Sequence, residues 1–161
     1  MPNNSPIILA GGSGFLGMNL ARSLTRQGHQ VVILSRSQLE QGGWTWNQWD
    51  GTTLGDWTNA IDGARAIVNF SGKSIDCVPT PKNKELIISS RVDSTRVLGE
   101  AIRNAINPPS VWVQMSAVGI YGNTTTPAPE STPAGDGFLP EVCTKWEAAF
   151  KESCPESIRS V

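Results

Sequence analysis

The chain has 161 residues, 39% of them hydrophobic, so it can bury roughly two-thirds of its unfolded surface and form one compact domain without disulfide or metal support. Thirteen Lys and Arg stand against fourteen Asp and Glu, a formal net charge of −1, and charged side chains make up only 17% of the chain; no sequence-wide basic field exists to grip a polyphosphate backbone, which argues against a nucleic-acid partner. No apolar run approaches the ~20 residues of a membrane span, and Met1-Pro2-Asn3-Asn4-Ser5-Pro6 lacks the basic opening and apolar core of a signal peptide, so a soluble, cytoplasmic chain with no membrane partner is expected.

Ile7-Ile8-Leu9-Ala10 is a continuous apolar run stopped by Gly11-Gly12, as in a strand buried on both faces. Over residues 15–25 the period changes. Leu16, Leu20, Ala21 and Leu24 recur at three and four, Arg22 and Arg26 lie toward the end, and Gly28 supplies a stop, which predicts a helix. Residues 30–34 repeat the strand signature and complete a βαβ unit with a right-handed crossover. Glycines then interrupt a stretch carrying Trp44, Trp46, Trp49 and Trp57. Alternation about Trp44 and Trp46 predicts a short strand over 45–49, and the tryptophans read as core and edge packing rather than a ligand cage.

A short helix over 57–61 and a strand over 64–70 follow, then a Pro-rich loop and the longest helix, over 83–107, ended by Pro108-Pro109. Residues 110–115 predict a strand. The Gly, Thr and Pro of 119–137 predict a long loop of functional or mobile kind. A helix over 139–152 precedes a strand that only begins at 157–161. The alternation predicts an α/β fold with a doubly wound parallel sheet, a Rossmann arrangement of strand order 3-2-1-4-5 with a sixth strand begun. No internal repeat or linker divides residues 1–161.

Cys77, Cys143 and Cys154 form no Cys-x-x-Cys pair, and His29 is the single histidine, so reduced thiols and no metal site are expected. His29, beside Gly28, reads as a solvated turn residue. Asn-x-Ser/Thr triplets at Asn3, Asn69 and Asn123 have meaning as glycosylation acceptors only in a secreted chain.

Between the first strand and the first helix runs Gly11-Gly12-Ser13-Gly14-Phe15-Leu16-Gly17, which satisfies both Gly-x-Gly-x-x-Gly and Gly-x-x-Gly-x-x-Gly. Gly11 and Gly12 permit a tight turn, Gly14 lets a pyrophosphate approach the backbone, and Gly17 lets the helix pack closely on the sheet. The structural alternative is a turn with no ligand. An NAD site carries an acid about 20 residues on to bind the ribose 2′-hydroxyl. This chain has Ser35-Arg36, and a guanidinium with a neighbouring hydroxyl suits a 2′-phosphate, so NADP(H) is the expected cofactor. The alternative is an arginine solvated at a strand end.

With these segments in order, together with Asn69-Phe70-Ser71-Gly72, Ser89-Ser90-Arg91-Val92-Asp93-Ser94-Thr95, Ser116-Ala117-Val118-Gly119-Ile120-Tyr121-Gly122 and Cys143-Thr144-Lys145-Trp146-Glu147, the chain resembles the atypical extended short-chain dehydrogenases/reductases. The branch it resembles is that of epimerase family proteins, the nucleoside-diphosphate-sugar epimerases, some labelled cell-division inhibitors. The resemblance implies a phosphate cradle at residues 11–17, 2′-phosphate recognition by Ser35 and Arg36, an adenine contact near Asp50, Ser71 and Gly72 along a ribose, and Ser116 near the nicotinamide.

Two departures stand out against that pattern. Ala117 occupies the position of the catalytic Ser or Thr, with Ser116 adjacent, and no Tyr-x-x-x-Lys pair exists, its two positions being Cys143 and Glu147. The lysine of that pair lowers the phenol's pKa, and an anionic Glu147 would instead oppose thiolate formation at Cys143. Extended members also continue into a small substrate-binding region, whereas this sequence stops at Val161, as a fragment or as a truncated protein; a short sixth strand makes pairing with a second copy an expectation.

Three readings remain in competition. The first is an NADP-dependent epimerase or oxidoreductase acting on a nucleotide sugar or carbonyl compound, with Ser116 and Tyr121 as its candidate catalytic groups. The second is a non-catalytic NADP(H)-binding redox sensor or regulator, and the third an inactive fragment. Lys73, Lys84 and Arg91 could meet a substrate phosphate above the strand ends or form a solvated helix face. Glu130 and Asp136 could be substrate contacts or solubilising charge.

Overall fold

The computed structural model describes residues 5–40 and 42–161, and the sequence readings at Met1, Pro2, Asn3 and Asn4 lie outside them. Its centre is a parallel sheet of six strands: β1 (Ile7–Ala10), β2 (Val31–Ser35), β3 (Thr45–Gln48), β4 (Ala66–Asn69), β5 (Val111–Gln114) and β6 (Arg159–Ser160). Their order is β3-β2-β1-β4-β5-β6, the order expected from the alternation of elements, with the sixth strand paired to β5 through Val111 opposite Arg159. The chain winds outward from β1 in both directions. The gap between the carboxyl ends of β1 and β4, where Ala10 lies opposite Asn69, is therefore the topological switch point at which ligands of such sheets bind.

The central strands β1, β2 and β4 are mainly apolar because both faces are covered, whereas β3 and β6 at the sheet edges carry mostly polar, more exposed residues. Helix α1 (Phe15–Arg26) puts Ala21, Leu20 and Leu24 against Leu9, Val31 and Ile33 on one face. On the other, α2 (Pro81–Asn104) and the end of α3 (Phe138–Ser153) bury Val97, Leu98, Ile102 and Phe150 against Ile8, Leu34, Ile67 and Trp112. Trp112 meets Phe150 edge to face at 5.0 Å, a geometry aromatic quadrupoles favour.

Element ends differ from expectation for local reasons. Helix α2 starts at Pro81, two residues early, because the Thr80 side chain accepts the Asn83 amide at 3.2 Å and proline fits the first helical turn. It ends at Asn104 rather than 107, since Ala105 is already extended (ψ 140°) ahead of the prolines. The short helix expected over 57–61 is a 3₁₀ turn at Asp56–Ala60. A second 3₁₀ turn, Val118–Tyr121, stands where only irregular chain was expected. Trp49 and Trp57 pack in the core at 5.5 Å from each other, and no described helix is long and apolar enough to cross a membrane.

Candidate functional site

The glycine run forms the floor of the switch point, and each glycine meets a different constraint. Gly11 adopts φ +66°, and a Cβ there would lie 2.7 Å from Ser71 Oγ and 2.8 Å from Ser71 Cα, so the turn after β1 touches the turn after β4 without space for a side chain. A Cβ on Gly17 would come within 2.5 Å of Gly12 Cα, which is how the helix packs so close to the turn. Gly14 is different. Its φ of −81° is open to any residue, and a Cβ there would meet nothing within 4 Å. Neither backbone strain nor internal packing accounts for glycine at that position; it leaves the approach to the helix end clear.

That helix end is uncapped. Gly14 is the N-cap of α1, no side chain caps it, and no acidic residue stands in the first turn. The first amides of a helix have no intrahelical acceptor and carry its positive dipole end. Against Gly11, in the turn before that helix, the buried hydroxyl of Ser71 has no hydrogen-bond partner among the described residues. Unsatisfied donors around an open floor suit an anion.

The far wall is held by a polar network that the sequence reading did not single out. Fully buried Asn69 donates through Nδ2 to Thr95 Oγ1 at 3.3 Å and Gln114 Oε1 at 3.1 Å, while its Oδ1 accepts the Ser71 amide at 3.0 Å. Arg91, a candidate substrate-phosphate ligand by its sequence, donates through Nη1 to the carbonyls of Lys73 (3.0 Å) and Ile87 (2.9 Å) and lies 5.1 Å from the Trp146 ring centroid. It clamps the loop after β4 from beneath Gly72, where a Cβ would lie 2.9 Å from Arg91 Cζ. Burial lowers its pKa, and the nearby Cys143 counteracts this. Lys84 stands over the Phe138 ring at 5.2 Å.

At the end of β2, Arg36 is exposed and its guanidinium makes no hydrogen bond or ion pair among the described residues. It lines a cleft of about 640 Å³ together with Trp46, Trp49, Asp50, Leu54 and Trp57. Asp50 fastens the cleft wall: its carboxylate accepts the amides of Thr52 (2.8 Å) and Thr53 (2.9 Å) and the Thr53 hydroxyl (2.6 Å), and these bonds, the Thr53 hydroxyl foremost, lower its pKa to about 2. Ser35 is committed elsewhere. Its hydroxyl donates to the Ser37 carbonyl at 2.8 Å and accepts Trp46 Nε1 at 2.9 Å, so its one proton is spent inside the protein.

Ser116, just beyond β5, donates from Oγ to Glu147 Oε1 of α3 at 2.5 Å. One turn back on α3, the buried Cys143 points its thiol at the Ala117 carbonyl at 3.7 Å. Its pKa is raised by burial and then by the Glu147 charge, against the opposing pull of Arg91. Tyr121 is half-buried at the end of its 3₁₀ turn, and the loop returns against it through the Gly135 amide, which donates to the Ile120 carbonyl at 2.9 Å. The fold thus brings together Gly11 with Ser71, Arg36 with Asp50, and Ser116 with Glu147. The Gly11 amide, donating to Leu34 O at 2.9 Å, ties the first of these to the end of β2.

Comparison with known proteins agrees with this architecture. Residues 7–140 match the family described as NAD dependent epimerase/dehydratase. The epimerase family protein YfhF of Bacillus subtilis is 37% identical, with 96% of this chain and 52% of that protein covered. The bovine epimerase family protein SDR39U1 is 33% identical, over 90% of this chain and 48% of the relative. A crystal structure of human SDR39U1 with NADPH superposes with a TM-score of 0.80 at 29% identity, covering 96% of this chain and 51% of that one. A nucleoside-diphosphate sugar epimerase from Corynebacterium glutamicum gives a TM-score of 0.74 at 29% identity, over 92% of this chain and 31% of that one. The chain spans about half the length of the curated relatives it matches. From the switch-point geometry and the family match together, the chain belongs to the NAD dependent epimerase/dehydratase family.

Proposed function

We propose that this chain binds NADP(H) and forms the cofactor-binding part of an epimerase-like oxidoreductase acting on a nucleotide sugar or a related carbonyl compound. The observation that carries the reading is Gly14, whose missing side chain faces open space over an uncapped helix end. In this reading the amides of Ser13, Gly14, Phe15, Leu16 and Gly17 bind the pyrophosphate, with Gly11 and Gly12 shaping the turn. Arg36 pairs with the 2′-phosphate, and Asp50 borders the adenine in the cleft they share. Ser71, with its unpartnered hydroxyl, and Gly72 lie along a ribose. The NADPH in the human SDR39U1 structure supports the phosphorylated cofactor.

When bound, the nicotinamide would supply hydride transfer. The chain's own share would be to orient it and to manage a proton. Ser116 and Tyr121 are the candidate catalytic groups, and Glu147 is in place to take the proton that the Ser116 hydroxyl holds at Oε1. A second reading, a non-catalytic NADP(H) sensor, is favoured by Cys143 beside Glu147, which the resemblance implies take the positions of a Tyr and a Lys: a buried thiol whose pKa is raised beside a carboxylate is a poor base.

Calorimetric titration with NADP, NADPH, NAD and NADH tests the reading. Wild type should favour the phosphorylated pair, and Arg36→Ala should lose that preference while still binding NAD. Equal affinity for all four in wild type would remove Arg36 from the account. Turnover of nucleotide sugars by NADP-loaded protein separates the enzyme from the sensor.

A further inference from the structure

We propose that Trp46 is a positioning residue for cofactor choice: its indole N–H locks the turn that aims Arg36, and thereby sets the preference for a 2′-phosphorylated nucleotide. The inference rests on the NADP(H) reading of the cleft. Ser35 and Ser37 flank Arg36, and the bond from Ser35 Oγ to the Ser37 carbonyl (2.8 Å) closes a small ring around it. A hydroxyl can rotate away from such a bond. Here it is prevented from doing so because Trp46 Nε1 donates to the same oxygen at 2.9 Å, occupying a lone pair and leaving the proton to Ser37. Ser35 is 5% exposed, so water does not readily replace either partner.

The sheet register makes this contact geometrically natural. Trp46 lies opposite Ile33 in the β2–β3 pair, and Ser35 is two residues further along β2 on the same face. A long side chain reaches such a diagonal neighbour. Trp46 also lines the cleft that Arg36 enters. A guanidinium on a pinned turn loses less freedom when it closes its fork on a phosphate, and that saving appears as affinity. Of the residues in the turn, only Arg36 lines the cleft, so pinning the turn acts on the 2′-phosphate, and any contact of the Trp46 ring with the adenine is shared by nucleotides with and without that phosphate.

Adenosine 2′,5′-bisphosphate and adenosine 5′-monophosphate isolate that phosphate. The ratio of their affinities is measured by calorimetry for wild type, Trp46→Phe, Ser35→Ala and the double variant, with thermal melting of each. Trp46→Phe keeps a ring and removes the N–H. It should lower the ratio about fivefold, the equivalent of one hydrogen bond, whatever the altered cleft wall does to both nucleotides alike. Ser35→Ala, which leaves the cleft lining intact, should lower the ratio by the same factor through the bisphosphate alone, and the double variant should lower it no further, because the bonds act in series. An unchanged ratio in both single variants, or parallel weakening of both nucleotides in Ser35→Ala, overturns the proposal while leaving the cofactor reading standing. A wild type that binds neither nucleotide overturns both.

Discussion

Gly14 and Gly17 are three residues apart and do opposite things. Adding a methyl group at Gly17 drives it into the Gly12 backbone, so Gly17→Ala should cost about 1–3 kcal/mol of stability, readable as a lowered denaturant midpoint. Gly14→Ala meets nothing. Losing a glycine N-cap costs at most about 1 kcal/mol, yet NADP affinity should fall at least about tenfold because the methyl group occupies the approach to the amides. Calorimetry beside chemical denaturation separates the two variants. Cys143 gives a pH prediction. Its folded pKa is raised above the ordinary 9.0, so the folded state holds a proton that the unfolded chain releases. The stabilisation is fully present below pH 9 and is lost as pH rises through the folded value. Cys143→Ala should flatten the alkaline fall in stability, and wild-type Cys143 should resist iodoacetamide at neutral pH until the protein is unfolded, as peptide mass spectrometry would record.

The strand ends carry the site because side chains from separate elements meet there. Asn69 joins β4 to α2, to β5 and to the turn after β4 through three hydrogen bonds, so Asn69→Ala removes the acceptor of the Ser71 amide and one partner each from Gln114 Oε1 and from Thr95 Oγ1, which still donates to the Arg91 carbonyl. It should lower stability by about 2–3 kcal/mol, measured by thermal melting. The strands, α1 and the glycine turn were legible in the sequence because their signals are local: a four-residue apolar run, a change of period, a glycine at each constrained position. The polar network was not. Asn69 reaches Gln114 across 45 positions, Ser116 reaches Glu147 across 31, and Arg91 folds back 18 residues to Lys73. No spacing rule marks such pairs. The start of α2 is a different case, since Thr80-Pro81 is a helix-start signal that the apolar period obscured. The expectation that Ser35 donates to a phosphate rests on its neighbour Arg36 and on the family resemblance. Its partner Trp46 lies on another strand, eleven residues away, and takes part in a bond that only the β2–β3 register defines.

Across the molecule, the doubly wound sheet puts the glycine turn, the Arg36 cleft and the Ser116–Glu147 pair on the carboxyl edge of one sheet. Strand order followed from the sequence because right-handed crossovers leave few topologies for alternating strands and helices. The reaction did not follow, since this fold fixes a cofactor site far more tightly than a substrate. A ligand bound only by the native sheet must stabilise it: NADP at a hundred times its dissociation constant should add about 2.7 kcal/mol, seen as a raised melting temperature, with Arg36→Ala reducing the gain. The central claim, that the uncapped start of α1 holds a dinucleotide's pyrophosphate, is tested most directly by following backbone amide resonances during titration with NADP. The largest shifts should fall on residues 13–17, with Arg36 and Ser71 moving in step; saturable binding that leaves those amides undisturbed would contradict it.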